Sequence, residues 1–180
     1  MNLDPSLQSF LNSECDELVE ALKSDILAHI GNLRADGQDL NGYAILPGAE
    51  DTIVSLVANY TAGFSVGDGD SCLVDEWPNY CYDQFPNADK FISQRKEDFE
   101  ALVETCESED LECQFRGEHL AKLFALILKG LSEARAEVFP GDEETFAVVW
   151  IPGSSHEIMG RSARELNSPA VYETYLSECG

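Results

Sequence analysis

Residues 118–138 form a long, strongly apolar stretch with helical periodicity. Its apolar residues recur three and four positions apart and cover more than half of the circumference of a helix. They are Leu120, Leu123, Phe124, Leu126, Ile127, Leu128 and Leu131. Because so wide an apolar surface must be covered on several sides, the pattern predicts a central helix that the rest of the chain packs around.

Three short segments have the pattern of strands. Residues 43–46 and 52–60 are predicted to form two strands of a hairpin, with a turn at Pro47 and Gly48. The second of these strands should place Val54, Leu56 and Ala58 on one face. Residues 146–151 form a nearly continuous apolar run, which is typical of an inner strand covered on both faces.

Two more helices are predicted in the first two thirds of the chain. The first has Ser13 as its cap, with Asp16 three residues later, and should end near Gly37. The second spans about 89–107, with apolar residues directed inward and carboxylates mostly outward. Between the strands and this second helix, residues 61–86 are rich in Gly, Asp, Asn and Pro and are expected to be irregular.

Two short helices are predicted to close the chain. Ser154, with Glu157 three residues later, has the spacing of a capping box for a helix that ends near Asn167. Ser168 should cap the last helix, with Pro169 at its first position.

Together these patterns predict an α+β fold in which a small, mainly antiparallel sheet packs against several helices. The 180 residues, of which 44% are apolar, are enough for one compact domain spanning 1–180. Residues 1–12 are expected to be a more loosely ordered N-terminal segment. Those first residues hold neither a basic cluster nor a sustained apolar run, which favours a cytoplasmic location.

No assembled catalytic, metal or cofactor site is visible in the sequence. The six cysteines have no zinc-binding spacing and are expected to be reduced. Asp68 and Asp70 lie in a glycine-rich turn, but the residues that follow lack the other oxygen ligands of a calcium loop. The sequence has no nucleophile elbow, no phosphate-binding loop and no paired histidine motif. We therefore expect a protein that is not an enzyme and that has no cofactor.

The charge pattern gives the sequence its one functional direction. The chain has a net charge of −23, and residues 35–89 contain ten carboxylates but no Lys or Arg. Such a surface repels nucleic acid and anionic membranes and attracts basic partners. The alternative is that the carboxylates only keep the protein soluble.

Aromatic residues are interleaved with these carboxylates, as at tight protein interfaces. The residues predicted to bind a partner are Asp68, Asp70, Asp75, Glu76, Trp77, Tyr80 and Asp83. For Trp77 and Tyr80 the sequence leaves a second role equally open, in which they pin the irregular segment to the core.

Several motifs resemble those of a bacterial family, the domain of unknown function number 4303. The run Arg-Ser-Ala-Arg-Glu-Leu-Asn-Ser-Pro at 161–169 and the run Val-Tyr-Glu-Thr-Tyr at 171–175 are similar to its closing signature. Further similarities lie at 43–46, 57–61, Trp77, Val138, Phe139 and 146–151. The resemblance covers the chain from about Cys15 onward, but apart from the shared Trp77 the segment 72–113 does not align, and Pro140 begins a turn that is glycine-rich in the family. Members are small cytosolic proteins of the kind found beside toxin genes, which implies an immunity role by analogy.

Three functional hypotheses follow. The preferred one is a cytoplasmic immunity protein that neutralises a basic, nuclease-like toxin by occlusion, without nucleic acid or membrane as a partner. The second is a housekeeping or regulatory domain that binds a small ligand or peptide, with an acidic surface that serves solubility only. The third is a hydrolase whose site is assembled from residues that are distant in sequence.

Overall fold

The computed structural model describes residues 4–13, 15–49, 53–62, 71–141 and 144–179. Six α-helices and four strands alternate irregularly along these residues. In chain order they are α1 (Pro5–Asn12), α2 (Asp16–Ala35), β1 (Leu40–Ala49), β2 (Ile53–Ala62), β3 (Asn79–Cys81), α3 (Pro86–Val103), α4 (Glu109–Val138), β4 (Phe146–Val149), α5 (Glu157–Leu166) and α6 (Pro169–Cys179). A single 3₁₀ turn, Val74–Glu76, precedes β3.

The four strands form one mixed sheet in the order β3-β2-β1-β4. Strand β2 is antiparallel to both β1 and β3, whereas β4 runs parallel to β1. The chain reaches β4 only after α3 and α4, as a parallel connection requires. The predicted α+β class, with a mainly antiparallel sheet packed against helices, is therefore confirmed.

One face of the sheet packs against α2, α3 and α4. The predicted central helix is α4, and it begins at Glu109 rather than near 118, with the Ser108 hydroxyl accepting from Leu111 N. Helices α2 and α4 approach closely at Gly130, where a Cβ would lie 2.9 Å from the Leu22 side chain. The buried side chains of both helices join those of the sheet in one continuous core.

The opposite face of the sheet is covered by residues 71–77 and by α6. The Trp77 and Phe146 rings meet edge to face, and Phe146 also stacks on Tyr175 of α6. Coverage on both faces explains why all four residues of β4 are buried. The expected burial of the 146–151 run is thus confirmed for its strand residues. Helices α2, α3 and α4 cover one side of the sheet, and α6 covers the other.

The expected inner position of this strand is wrong, because β4 lies at an edge of the sheet. Helix α5 supplies the hydrogen bonds that a neighbouring strand would make. The Asn167 side chain accepts from Ala147 N at 2.7 Å and donates to Ala147 O at 2.8 Å, and the Ser162 hydroxyl accepts from Val149 N at 3.0 Å. This edge is therefore closed to pairing with another strand.

Two predictions about the hairpin are wrong. Pro47 and Gly48 continue β1 instead of forming the turn, and the connection between β1 and β2 falls at 50–52, outside the described residues. Val54 is exposed, whereas Leu56 and Ala58 are buried as expected.

Several helix ends also differ from the predicted ones. Helix α2 begins after Cys15 without a side-chain cap, and Ser13 instead ends α1, where its hydroxyl donates to Phe10 O. Helix α3 begins at Pro86 and ends at Val103, several residues earlier than predicted at both ends. The cap of α5 is His156, not Ser154. The predicted start of α6 is confirmed, since Ser168 Oγ accepts from Val171 N and Pro169 is the first residue of the helix.

The N-terminal residues include α1, which buries Leu7 and Leu11 against Phe99 and Phe115. These side chains belong to a second, smaller apolar cluster between α1, α3 and α4. Pro5–Asn12 is therefore a packed helix, with two leucines in contact with its neighbours, while the loose order expected for 1–12 stays a prediction.

Candidate functional site

The segment with most of the predicted partner-binding residues covers part of one face of the sheet and then pairs with β2 as the edge strand β3. It consists of the 3₁₀ turn and β3, and Asn59 of β2 holds it in place. The Asn59 side chain donates to Val74 O at 3.0 Å and to Trp77 O at 3.2 Å. Asp68 and Asp70, also predicted to bind a partner, lie outside the described residues.

Trp77 is a core residue, so its predicted role as an exposed interface anchor is wrong. Its side chain is 4% exposed, and its Nε1 donates to Ser71 O at 3.2 Å. The ring covers Gly42, where a Cβ would lie 2.5 Å from Trp77 Cη2. The second role considered for Trp77, pinning the irregular segment to the core, is the one the structure supports.

The remaining predicted residues of this segment, and Asp83 just after it, lie at the surface. Asp75, Glu76, Tyr80 and Asp83 are exposed, and so is Tyr82, which the sequence did not single out. We refer to these five residues as the acidic segment. Asp83 takes a left-handed backbone conformation with φ of 59°, which Asp tolerates better than most residues.

The surroundings of the Tyr80 hydroxyl favour its neutral form. Partial burial raises the pKa of Tyr80, and the negative charges of Asp75 and Glu76 raise it further. The phenol therefore stays neutral near pH 7 and can donate a hydrogen bond beside two carboxylates. An exposed tyrosine next to unpaired charges is a common feature of protein interfaces.

Asp75 is also bonded to Trp150, the residue that follows β4. Trp150 Nε1 donates to Asp75 Oδ1 at 2.9 Å, and Trp150 itself is buried. The sequence assigned Trp150 only to the strand core, although a buried indole N–H requires an acceptor. The need of a buried indole for an acceptor was the one sequence signal for the bond between Trp150 and Asp75. It could not identify Asp75 as the acceptor.

A pocket of about 600 Å³ opens beside Asp75, between the 3₁₀ turn, the loop after β4 and α6. We refer to it as the Asp75 pocket. Its lining residues are Leu73, Asp75, Trp150, Gly153, Ser154, Ser155, His156, Glu157, Met159, Gly160, Tyr175, Leu176, Glu178 and Cys179. Of these only Asp75 was predicted as a site residue, because the other walls come from segments with ordinary helix and turn patterns.

Three carboxylates line the Asp75 pocket, and no Lys or Arg does. They are Asp75, Glu157 and Glu178. Glu178 is fixed by two hydrogen bonds, because its carboxylate accepts from Cys72 N at 2.7 Å and from Ser71 Oγ at 3.1 Å. These contacts join the end of α6 to the start of the 71–77 segment.

The thiols near the pocket are poor nucleophiles. Burial raises the pKa of Cys179 to about 11, and the charges of Glu178 and Asp75 act in the same direction. Burial and Glu178 likewise raise the pKa of Cys72 to about 12. Both thiols are therefore protonated at neutral pH, whereas thiolate chemistry needs the deprotonated form.

His156 has a structural role at the start of α5. Its Nδ1 accepts from Ile158 N at 3.1 Å, and its ring packs against Phe124. The Ser154 hydroxyl accepts from His156 N rather than contacting the imidazole. Within the described part of the pocket, no serine hydroxyl is hydrogen-bonded to the imidazole of this histidine.

The basic residues are confined to four helices, α2, α3, α4 and α5. All eleven are Lys23, Arg34, Lys90, Arg95, Lys96, Arg116, Lys122, Lys129, Arg135, Arg161 and Arg164. Ion pairs within the described ranges join Lys23 to Glu137, Arg116 to Glu100 and Glu112, Lys129 to Asp16, and Arg161 to Glu165, and both partners of each pair lie on these four helices. In contrast, the carboxylates of the acidic segment have no ion pair with any residue whose placement is described.

Within the described ranges, no helix has the length and apolar character needed to cross a membrane. The same ranges contain no group of three His, Cys, Asp or Glu residues placed to hold a metal ion. Comparisons of the chain with profiles of known protein families, with curated proteins and with solved structures find no match in any of the three.

Proposed function

We propose that this protein is a cytoplasmic binding protein that neutralises a basic protein toxin by occluding its active site. One observation carries the proposal: every Lys and Arg lies on α2, α3, α4 or α5, while the exposed carboxylates of Asp75 and Glu76 have no ion pair with any described residue. Unpaired charges attract an oppositely charged partner at a distance and set its orientation on approach. The resemblance to a family found beside toxin genes supports the same function.

The acidic segment has the features that such an interface needs. Tyr80 and Tyr82 are 39% and 65% exposed, so they offer aromatic surface next to Asp75, Glu76 and Asp83. Buried Trp77 and the Asn59 hydrogen bonds hold the segment rigid, which lowers the entropy cost of binding. A nuclease binds phosphates with cationic side chains, and carboxylates placed against those side chains would block the substrate.

The Asp75 pocket favours a second candidate, a domain that binds a small ligand or peptide. Its volume of about 600 Å³ lies within the usual range of small-molecule sites, roughly 300–1,000 Å³. Two assays separate the candidates. A toxin inhibitor should retain a protein partner in a pull-down at low salt, whereas a ligand-binding domain should gain thermal stability from a metabolite.

Affinity capture from lysate of the source organism tests the proposed function. The whole chain should retain one stoichiometric basic protein at low salt and less of it at moderate salt. Expression of that protein alone should arrest growth, and co-expression with this chain should restore it. Capture of no protein at either salt concentration, or of a partner whose toxicity the chain does not relieve, would overturn the proposal.

A further inference from the structure

The Asp75 pocket combines negative charge with apolar walls. Asp75, Glu157 and Glu178 supply the charge, while Leu73, Leu176, Met159 and the rings of Trp150 and Tyr175 supply the walls. An alkyl chain that ends in a cation has matching chemistry, because its stem can pack on apolar surface while its head meets carboxylates. Lysine and arginine side chains have this form.

Asp75 is oriented to receive such a head group. Its Oδ1 accepts from Trp150 Nε1, and its Oδ2 has no hydrogen bond to any described residue. The carboxylate is thus held in one direction and keeps capacity for a further donor. A guanidinium or ammonium group bonded there would make a charge-assisted hydrogen bond beside the Trp150 ring.

Tyr175 supplies a second polar group to the pocket. The residue lines the pocket and is 6% exposed, and among the described residues its hydroxyl has no hydrogen-bond partner. The hydroxyl is not one of the buried side-chain atoms that lack a partner, so it is open to the pocket. A polar group of a bound ligand can therefore replace the water that bonds it in the free protein.

An anion fits the pocket poorly, although α5 begins there. The Ile158 N–H at that helix start is already bonded to His156 Nδ1, and the first helical residue is Glu157. The helix dipole is therefore already complemented by a carboxylate. An anion would also face Asp75 and Glu178 with no Lys or Arg among the lining residues.

We propose that the Asp75 pocket binds the cationic side chain of a lysine or arginine residue presented by a protein partner. The inference rests on the proposed function, in that the side chain belongs to the basic partner. The acidic segment then guides the partner, and the pocket fixes one side chain of it in place. The pocket is thereby a specificity site within the larger interface.

A titration of the whole chain with blocked amino acids tests the pocket without any partner. The probes are N-acetyl-arginine methylamide, N-acetyl-lysine methylamide and, as a neutral stem of similar length, N-acetyl-norleucine methylamide. We expect saturable NMR shifts at the Trp150 indole N–H and at the Gly153 and Gly160 amides, with either cation binding more tightly than norleucine. Equal binding of norleucine, or shifts spread over the acidic segment instead, would overturn the assignment.

Two isosteric variants locate the binding. Asp75→Asn should lower the affinity for the cationic probes about three- to ten-fold, because it removes one charge. The amide oxygen of the new side chain can still accept the hydrogen bond from Trp150. Glu97→Gln removes the same charge at an exposed position of α3, outside both the pocket and the acidic segment, and should leave their affinity unchanged. Equal effects of the two variants would mean that the probes sense only the net charge, and the pocket assignment would fail.

A third comparison separates a peptide side chain from a free metabolite. Free arginine carries an additional amino and carboxylate group, so a metabolite site would prefer it to the blocked form, and that result would contradict the assignment. The titration also stands apart from the capture experiment. If the probes bind but no toxin is captured, the proposed inhibitor function is overturned. If a toxin is captured but the probes do not bind, only the pocket assignment is overturned.

Discussion

Trp150 Nε1 donates a 2.9 Å hydrogen bond to Asp75 Oδ1, across 75 positions of the sequence. The bond joins the end of β4, in the core, to the 3₁₀ turn that starts the acidic segment. Asp75 therefore has two roles, as a structural acceptor for a buried indole and as a charge at the proposed binding surface. The two roles can be separated by mutation.

Replacing Asp75 tests the structural role of this bond. Asp75→Ala leaves the Trp150 indole without its acceptor and should lower the free energy of unfolding by about 1–2 kcal/mol. Asp75→Asn keeps an acceptor oxygen and should remain within about 0.5 kcal/mol of the wild type, as for a neutral surface change. Denaturant unfolding followed by tryptophan fluorescence measures both. Equal stability of the two variants would show that the bond contributes nothing.

The close contact of Gly42 with Trp77 predicts a large effect from one methyl group. In Gly42→Ala the new Cβ would lie 2.5 Å from Trp77 Cη2 and 2.9 Å from Thr61 Cγ2, so the indole must move. We expect a loss of about 1–3 kcal/mol in the free energy of unfolding, as for other overpacked cores. A changed near-UV circular dichroism spectrum should accompany it.

A matched glycine substitution in α2 has the opposite expected sign. Gly31 has no atom within 4 Å of the Cβ position, so Gly31→Ala should stabilise the protein by about 0.5–1 kcal/mol through helix propensity. If Gly42→Ala is as stable as Gly31→Ala, the Trp77 ring does not lie against Gly42 as described.

Asp25 caps α3 from another helix. It is 4% exposed, and its carboxylate accepts from Asn87 N at 3.0 Å, Ala88 N at 2.9 Å and Asn87 Nδ2 at 2.7 Å. Asp25→Ala should lower the free energy of unfolding by about 2–3 kcal/mol, because it leaves helix-start N–H groups unpaired. Asp16→Ala, which removes an exposed ion pair with Lys129 from the same helix, should cost no more than about 1 kcal/mol. Thermal denaturation that ranks the two variants in reverse order would contradict this assignment.

His119 should make the stability fall in weak acid. The ring is 1% exposed, stacks on Phe99, and has no hydrogen-bond partner for Nδ1 or Nε2 among the described residues. Burial, followed by the charge of Arg95, lowers the pKa of His119 from 6.5 to about 4. The unfolded chain therefore binds this proton more readily than the folded one does.

Stability linked to His119 is thus fully present above pH 6.5 and is lost as the pH falls from 6.5 to about 4. The loss approaches roughly 3 kcal/mol at the lower end. Because carboxylates also titrate in acid, the relevant quantity is the difference between wild type and His119→Phe at each pH. The free energy of unfolding of His119→Phe should rise relative to that of the wild type as the pH falls. A constant difference between pH 7 and pH 4.5 would refute the effect.

Local sequence patterns predicted most of the elements but few of the contacts that join them. Helices α2 and α4 were recognisable because their apolar periodicity is local and strong. The cap of α3 and the closure of the sheet edge were not, because their partners are distant in sequence: Asp25 caps α3, and Ser162 and Asn167 bond the edge of β4. Such contacts leave no spacing in the sequence from which they could be inferred.

The candidate site shows the same division. Asp75, Glu76 and Tyr80 were predicted together because they are close in sequence, and the structure exposes all three, with both carboxylates raising the pKa of Tyr80. The burial of Trp77 could not be derived, since it depends on the absence of a side chain at Gly42, on another strand. The Asp75 pocket was missed entirely, because its walls meet only when α6 packs beside the 71–77 segment.

The association rate of the captured partner tests the central claim most directly. The variant Asp75→Asn with Glu76→Lys changes the charge of the acidic segment by three units, and Glu97→Lys with Glu104→Gln makes the same change at exposed positions of α3 and its C-terminal cap. Stopped-flow rates are compared at low and moderate salt. We predict that the first variant associates about three- to ten-fold more slowly and with a flatter salt dependence, while the second stays close to the wild type. Equal rates and equal salt dependence for the two variants would contradict the claim that the acidic segment binds the partner.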